Sequence, residues 1–368
     1  MDIASLRRLF TITSGSVYLN NAAQSPLCVP VRRRLDDYLD LAANKPDHRP
    51  VERGSVRQLL AKLLGGAPDE YALVTSTGVG IGLVAEGFAF QPGDNVVVPA
   101  GEHWNNTFPW LALRERGVEV RLVSVGADER VTPAAVAELL DARTRVLAVA
   151  SVRHSTGFRA DLQALGRLAH ARGALFVVDA IQGAGAVPIN VEEDGIDVLA
   201  GGGFKWLLGM HGTGYLYVRR SAWEKIRPVL PGMYAAEDLP AELRFLPSAR
   251  RYETGSIAAS LFHAWTAGLE LVSELGVANI HERILELGNR LISGLQHSGM
   301  TVITPVENRN ERSAIVTFSA GDPDANQALA ARLAERGISI SVRAGRCRVS
   351  PSFFNTEQEI DLLLACLR

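Results

Sequence analysis

Asp179 and Lys205, a carboxylate and an amine, stand near the ends of two successive apolar runs of the chain. The apolar run FVVD ends at Asp179, and Gln182 follows it closely. Lys205 lies between three glycines and an apolar segment, in VLAGGGFKWLLG. A lysine with such neighbours is either a surface residue beside a turn or a buried amine, and burial would lower its pKa and favour nucleophilic chemistry. The pair therefore combines a candidate nucleophile with a nearby carboxylate.

This pair matches the needs of one cofactor. Pyridoxal phosphate forms a Schiff base with a lysine, and a carboxylate beside its pyridine nitrogen keeps that nitrogen protonated. Its phosphate also needs a site. Ser76, Thr77 and Gly78 stand between a predicted strand and a predicted helix, where free backbone N–H groups bind anions. The same three residues are also typical of an ordinary helix N-cap, and the segment lacks the G-K-[ST] of a P-loop.

Alternating apolar and helical patterns predict the elements that position these residues. Predicted strands are Val96–Val98, Val118–Val125, Val146–Val152, Leu175–Asp179, Val198–Gly201 and Gly214–Val218. Predicted helices between them are Gly78–Phe88, Asn106–Arg116, Pro133–Leu140 and Asp161–Arg172, and Gly117, Gly173 and Gly195 are predicted C-caps. Strands rich in Val and Leu without strict alternation are typical of a parallel sheet covered on both faces, where ligands bind at the carboxyl ends of the strands.

After about residue 260 the alternation of predicted strands and helices continues, and it indicates a second, smaller α/β domain. Predicted elements there are the helices Leu261–Leu275, Val277–Leu295 and Ala325–Arg336, a helix from Glu357, and the strands Val302–Thr304, Ala314–Ser319, Ile338–Val342 and Arg348–Ser350. We therefore expect an N-terminal segment (1–30) that packs on the small domain, a large cofactor-binding domain (31–260) and a small C-terminal α/β domain (261–368).

Composition excludes several classes of protein. The chain has 368 residues with 38 Lys+Arg and 40 Asp+Glu, and a net charge of −2 does not favour nucleic-acid binding. It has no apolar run of roughly 18 to 20 residues and no signal-peptide pattern. Its three cysteines are scattered, without zinc or disulfide spacing. We therefore expect a cytoplasmic enzyme that acts on a small molecule, with no metal site and no membrane or nucleic-acid partner.

From YLNNAAQSPL to RVSPSFFNTEQEID the chain resembles the class V aminotransferase family of fold-type I pyridoxal-phosphate enzymes. This family includes cysteine desulfurases, selenocysteine lyases, isopenicillin-N-epimerase-like proteins and kynureninases. The resemblance implies a large domain with a mainly parallel sheet and a small α/β domain. It also implies a homodimer with active sites at the interface, because RYETGS resembles the segment that brings Ser256 to the neighbouring subunit's phosphate.

The resemblance assigns roles to the motif residues. His103, in GEHWNNTFPW, matches the ring that stacks on the cofactor, and Lys205 matches the Schiff-base lysine. Asp179 matches the partner of the pyridine nitrogen, and Gln182 matches the contact of the phenolic oxygen. Arg348 matches the arginine that binds the substrate α-carboxylate. His103, Asp179 and Lys205 are therefore the predicted catalytic residues.

Three further residues have two interpretations each. His154 occupies a position where desulfurases usually carry an asparagine near the substrate carboxylate, and it is equally typical of a loop histidine. Asn21 and Gln24 either line the substrate entrance or serve in turns and caps. We include all three among the predicted substrate-binding residues.

Two departures from the family pattern bear on the reaction. Gly202 and Phe204 stand where relatives often have a Ser and a His that bind phosphate, so Ser76, Thr77, Gly78 and Ser256 must hold that group. Desulfurases carry a mobile-loop cysteine that accepts sulfur, whereas here a short VRAGRCR segment places Cys347 beside Arg348. A thiol on a short strand does not reach a substrate sulfur, and a buried structural cysteine is the better interpretation.

We therefore expect a pyridoxal-phosphate enzyme that acts on an amino acid through aldimine and quinonoid intermediates. The first choice is a lyase that cleaves a carbon–sulfur bond of a cysteine derivative without a persulfide-forming cysteine. The alternatives are an aminotransferase or epimerase of a specialised amino acid and, from another class, a non-catalytic interaction protein with this fold. No residue pattern identifies the substrate or the bond that breaks.

Overall fold

The strands form three sheets within residues 1–48, 53–126, 128–237 and 242–367, which the computed structural model describes. In chain order the strands are β1 (Val17–Tyr18), β2 (Tyr71–Val74), β3 (Asn95–Pro99), β4 (Glu119–Val123), β5 (Thr144–Ala150), β6 (Leu175–Asp179), β7 (Val198–Gly202), β8 (Gly214–Val218), β9 (Thr301–Val302), β10 (Val316–Ser319), β11 (Ile338–Ser339), β12 (Ser341–Arg343) and β13 (Arg346–Val349).

Helices cover these sheets. In chain order they are α1 (Ile3–Arg7), α2 (Val29–Asn44), α3 (Arg53–Leu64), α4 (Thr77–Gly87), α5 (Phe108–Ala112), α6 (Pro133–Ala137), α7 (Leu162–Ala171), α8 (Ala259–Leu275), α9 (Val277–His297), α10 (Pro323–Glu335) and α11 (Glu357–Ala365). Helices α2 and α3 both pack against α8. In the part of the chain that the structure describes, no helix combines the length and the apolar character needed to cross a bilayer.

The central sheet has the strand order β2-β8-β7-β6-β5-β3-β4. Strand β8 is antiparallel to both of its neighbours, and the other pairings are parallel. Successive residues of each strand pack into different cores, as Leu147 and Phe176 do on one face and Val146 and Val177 on the other. Burial on both faces explains the continuous apolar runs, and the predicted α/β fold with a mainly parallel sheet is confirmed.

Two local predictions for this part are wrong. The helix predicted over Asn106–Arg116 is reduced to α5 with 3-10 turns on both sides. Thr107 has φ −122° and ψ −52°, so its backbone is not helical, and α5 starts anew at Phe108. Gly195, predicted as a C-cap, follows an irregular turn and no helix, although its φ of +65° does require glycine.

The smaller sheet has the order β12-β13-β10-β9 and is antiparallel. Its core includes Leu291 of α9, Leu329 of α10 and Leu363 of α11. The single strand predicted over Ile338–Val342 is wrong, because β11 pairs with β1 in a separate two-stranded sheet while β12 pairs with β13. The chain's N-terminal and C-terminal parts therefore contact each other through backbone hydrogen bonds.

Side chains strengthen this contact between the termini. Arg7 forms a salt bridge of 2.9 Å with Glu359, and the ring of Phe10 stacks on that of Phe354 with centroids 4.1 Å apart. The predicted limits of the domains, at residues 30 and 260, stay a prediction.

Candidate active site

A cavity of about 690 Å³ lies at the carboxyl ends of the parallel strands. It is lined by the predicted site residues His103, His154, Gln182, Lys205 and Arg348, which follow β3, β5, β6 and β7 or lie in β13. Because parallel strands end at the same edge of a sheet, residues that are distant in sequence meet there.

Backbone hydrogen bonds close the loop that carries Lys205. The N–H of Gly209 donates to the carbonyl of Gly203 at 2.7 Å, and the N–H of Leu208 donates to the carbonyl of Lys205 at 3.0 Å. Leu208 adopts a φ of +59°, which is rare for a residue with a Cβ. A Cβ on Gly203 would lie 2.5 Å from Thr213 Oγ1, so this position requires glycine. The glycine cluster therefore permits the close packing that holds Lys205 in place.

The amine of Lys205 is enclosed beside other cations. Burial, followed by the charge of Arg348, lowers its pKa from 10.5 to about 7, while Asp179 acts in the opposite direction. The Nζ atom lies 5.6 Å from the centroid of the Phe204 ring. About half of the amine is therefore neutral at pH 7, as a nucleophile or a general base requires.

Asp179 ends β6 and is only 1% exposed. Its Oδ1 accepts a hydrogen bond of 2.9 Å from the N–H of Ile181. The pKa of this carboxyl is raised to about 7, chiefly by burial and also by Glu102, while the hydrogen bond from Ile181 and the charge of Lys205 act to lower it. A buried carboxyl of this kind gains stability from a cationic partner.

Gln182 is held by two hydrogen bonds. Its Nε2 donates to the carbonyl of Ala22 at 3.0 Å, and its Oε1 accepts from Nε1 of Trp206 at 3.0 Å. These partners set the orientation of the amide, and one N–H of Nε2 remains for a ligand.

The two histidines form a perpendicular pair, with ring centroids 5.3 Å apart. Nδ1 of His103 accepts a hydrogen bond of 3.2 Å from the N–H of Asn105, so the other nitrogen carries the proton. Burial lowers the pKa of both rings, and that of His154 falls to about 3. Both rings are therefore neutral at physiological pH.

Arg348 is 2% exposed, with part of its guanidinium already bound. Its Nη1 donates to the carbonyl of His154 at 2.8 Å, and its Nε donates to Oγ of Ser341 at 3.2 Å. Burial, and then the charge of Arg343, lowers its pKa to about 10. None of the salt bridges among the described residues includes Arg348, which leaves its charge for an anionic ligand.

The cavity also contains residues that the sequence reasoning did not single out. Glu102 precedes His103 directly, accepts a hydrogen bond of 3.0 Å from the N–H of Ala150, and forms a salt bridge of 3.2 Å with the buried Arg153. Arg343 lines the cavity from the hairpin of β12 and β13. The signal that could have identified it is the repeated arginine of VRAGRCR, in which Arg343 precedes the turn and Arg348 follows it.

Two predicted substrate-binding residues do not line this cavity. Asn21 is buried, and its Nδ2 donates to the carbonyl of Ser350 at 2.9 Å, which links the N-terminal segment to the end of β13. Gln24 is exposed, and its Oε1 lies 3.2 Å from Nε2 of His211. In this structure both residues make structural contacts, and their proposed role at the substrate entrance gains no support from the cavity.

The predicted phosphate residues also lie outside the cavity lining. Ser76 caps α4, because its Oγ accepts a hydrogen bond of 3.2 Å from the N–H of Val79, and Thr77 is buried. A Cβ on Gly78 would lie 3.1 Å from Cγ of Asn105, so the start of α4 touches the segment that carries His103. Ser256 is exposed on its own chain.

Cys347 is fully buried in the core of the small sheet. Its register partner is Val342, so it points to the face of the hairpin opposite to Arg348. Burial raises the pKa of its thiol to about 11. The connection between β12 and β13 consists of Ala344 and Gly345, which adopt φ values of +49° and +72° in a tight turn.

The comparisons with known proteins agree with this fold. A probable cysteine desulfurase of Methanothermobacter thermautotrophicus is 28% identical over 402 residues, which cover 99% of this chain and 96% of that protein. Two solved structures of the protein C-DES are similar at 21% identity. One, a mutant with glycine covalently linked to the PLP cofactor, has a TM-score of 0.91 and covers 98% of both chains. The other, a complex of the cystine C–S lyase C-DES with its product cysteine persulfide, has a TM-score of 0.90 and covers 97% of this chain and 98% of that one.

A family model described as aminotransferase class-V matches residues 17–363, which is nearly the whole chain. The match spans the cavity residues from Ala22 to Arg348 as well as both larger sheets. The chain belongs to the class-V aminotransferase family and is a PLP-dependent enzyme.

Proposed function

We propose that this enzyme cleaves a carbon–sulfur bond in a cysteine derivative, with pyridoxal phosphate as cofactor and without a protein thiol as sulfur acceptor. The position of Cys347 carries the proposal. Its thiol is buried on the face of the hairpin that points away from Arg348, and a two-residue turn replaces a mobile loop. The similarity to C-DES, described as a cystine C–S lyase, supports the same chemistry.

The chemistry of the cavity fits the cofactor. The lowered pKa of the Lys205 amine suits covalent attachment to an aldehyde at neutral pH, and the buried Asp179 suits a protonated pyridine nitrogen as its cationic partner. Gln182 offers an oriented N–H, and the first turn of α4 offers Ser76 and backbone N–H groups to a phosphate. When bound, pyridoxal phosphate stabilises negative charge that develops at the substrate α-carbon.

The chain's own residues then act on the substrate. Arg348 binds the α-carboxylate with the donors that Ser341 and His154 do not use. Lys205, once released from the cofactor, accepts the α-proton, since its pKa near 7 suits a general base at neutral pH. His103 stays neutral, because its burial, and then the charges of Lys205, Arg343 and Arg348, lower the pKa of its ring.

We also propose a homodimer in which Ser256 contributes to the phosphate site of the partner subunit. The support is that Ser256 is exposed and does not line the cavity of its own chain. The parallel rings of Trp104 and Phe108 are 68% and 58% exposed near the cavity, and burial of such a surface would stabilise an interface.

Product analysis tests the proposed reaction. The purified enzyme, loaded with pyridoxal phosphate, is incubated with L-cystine or an S-substituted cysteine, and pyruvate and ammonia are measured. We expect both products without an added oxo acid. A strict requirement for a 2-oxo acid would identify an aminotransferase instead. A protein that stays colourless with added cofactor would identify a non-catalytic member of the family.

A further inference from the structure

The charges that line the cavity are unbalanced. Two guanidinium groups, those of Arg343 and Arg348, and the half-neutral amine of Lys205 line the cavity together with one carboxylate, that of Glu102. Glu102 is already bound to the N–H of Ala150 and to the buried Arg153. An α-carboxylate on Arg348 therefore leaves the charge of Arg343 without an anionic partner in this cavity.

The register of the hairpin places Arg343 beside Arg348. Ser341 pairs with Arg348 and Arg343 pairs with Arg346, so all four side chains lie on the same face of the hairpin. At about 3.3 Å per residue, Arg343 lies about 7 Å further toward the turn than Ser341. Arg343 is thus beyond the α-carboxylate site, where an extended substrate side chain can reach it.

The turn keeps Arg343 at this position. Ala344 and Gly345 both adopt a positive φ, which is the two-residue connection that fits the twist of paired strands. Arg343 itself is exposed to the cavity, and none of the salt bridges within the described parts of the chain involves it. Its charge helps to lower the pKa of Lys205, His103 and Arg348, in keeping with a location near all three.

We infer that Arg343 binds a second anionic group at the distal end of the substrate side chain. The substrate class is then an amino acid whose side chain ends in a carboxylate, such as an S-carboxyalkyl cysteine or the distal half of cystine. This inference rests on the proposed function in one respect, because it takes Arg348 as the α-carboxylate site. A guanidinium suits a carboxylate because its donors form two parallel hydrogen bonds.

Binding of a matched pair of amino acids tests the inference. S-carboxymethyl-L-cysteine and S-carbamoylmethyl-L-cysteine have nearly the same shape and differ in the charge of the distal group. Calorimetric titration of the holoenzyme measures both affinities. We expect the acid to bind at least about tenfold more tightly, as hydrogen bonds between charged groups imply. In Arg343→Gln we expect this preference to disappear while the affinity for the amide changes less than about twofold.

Two further variants complete the design. Arg343→Lys should keep part of the preference for the acid, because it retains the charge without the paired donors. Arg346→Gln, on the same hairpin but outside the cavity lining, should keep the full preference for the acid. An equal loss of affinity for the acid and the amide in Arg343→Gln would overturn the inference. A wild-type enzyme that binds the two ligands equally well would also overturn it. If the preference is present but no pyruvate forms from either ligand, the proposed reaction fails and this inference stands.

Discussion

The indole of Trp206 donates a hydrogen bond of 3.0 Å to Oε1 of Gln182, directly beside the loop that holds Lys205. The other end of the Gln182 amide donates to the carbonyl of Ala22. Trp206 therefore decides which end of the amide presents an N–H to the cavity. This makes Trp206 a positioning residue for the proposed cofactor contact of Gln182.

Trp206→Phe should change the colour of the holoenzyme as well as its stability. The buried Oε1 of Gln182 loses its donor, which costs about 1–3 kcal/mol in the free energy of unfolding. Because the amide is then free to rotate, we expect the pH midpoint of the visible absorbance to move by about half a unit, or about 0.7 kcal/mol. Denaturant unfolding and absorbance titration measure the two effects.

Trp223→Phe is the matched control for this prediction. Its indole donates to the carbonyl of Val218 at 2.9 Å, in the other core of the large sheet. We expect a similar loss of stability without a change in absorbance. If both variants shift the absorbance equally, Trp206 has no specific role at the cofactor.

Lys205 should react with carbonyl compounds at unusually low pH. With a pKa of about 7, its neutral fraction is half at pH 7 and levels off above about pH 8, whereas an ordinary lysine amine with a pKa near 10.4 continues to gain neutral form. The test is reductive labelling of the cofactor-free chain with pyridoxal phosphate from pH 5 to 9, with peptide mapping of the adduct.

The chain has four lysines, so the adduct is easily assigned. Lys225→Ala should leave the labelling unchanged, and Lys205→Ala should abolish the rapid reaction. A labelling rate of Lys205 that rises tenfold per pH unit up to pH 9 would contradict the lowered pKa.

Asp179→Asn should change how stability depends on pH. The native carboxyl has a pKa raised from the usual 3.8 to about 7, so the native state holds a proton that the unfolded chain releases between these pH values. Its contribution to stability therefore falls as pH rises from about 4 to 7. Lys205 is protonated in the native and the unfolded state below about pH 6, and its titration above that pH occurs in wild type and in Asp179→Asn alike.

Between pH 4.5 and pH 7.5 we expect the free energy of unfolding of cofactor-free Asp179→Asn to rise by about 2–4 kcal/mol relative to that of wild type. Urea unfolding at several pH values measures this difference. The same variant should bind pyridoxal phosphate more weakly. Asp194→Asn, which removes another carboxyl with a raised pKa but away from this cavity, should not affect cofactor binding. Parallel stability profiles of wild type and Asp179→Asn would contradict the raised pKa.

Replacement of Cys28, Cys347 and Cys366 by alanine together should leave turnover within about twofold. Cys347 is in the apolar core on the face of the hairpin away from Arg348, so its thiol has no access to the substrate. Cys347→Ser should instead lower the free energy of unfolding by about 1–3 kcal/mol, because a hydroxyl costs more to bury in that core than a thiol does. The acceptors within reach, the carbonyl and Oδ1 of Asn326, lie 3.5 and 3.6 Å from Sγ, at distances that suit sulfur rather than oxygen. Steady-state pyruvate formation and thermal unfolding measure the two effects. A hundredfold loss of turnover in Cys347→Ala would point to a persulfide on this residue.

Most of the large sheet could be predicted from local patterns. Strands buried on both faces consist of continuous apolar residues, and the turns between them require glycine at positions such as Gly117, with a φ of +77°. The prediction failed at Asn106–Arg116, where the backbone of Thr107 is not helical, and at Ile338–Val342, where the partner strands decide the structure. β11 pairs with β1, from the other end of the chain, and no local pattern contains that information.

The sequence by itself determined the fold class, the likeness to the family and the chemical types of the reactive groups, because apolar periodicity and motif spacing are local properties. Only the tertiary structure decided which groups share one cavity and in which protonation state. Burial lowers the pKa of Lys205 and raises that of Asp179, and burial depends on every element packed around them. The same holds for Cys347 and Arg343, whose opposite faces follow from the register of one short hairpin.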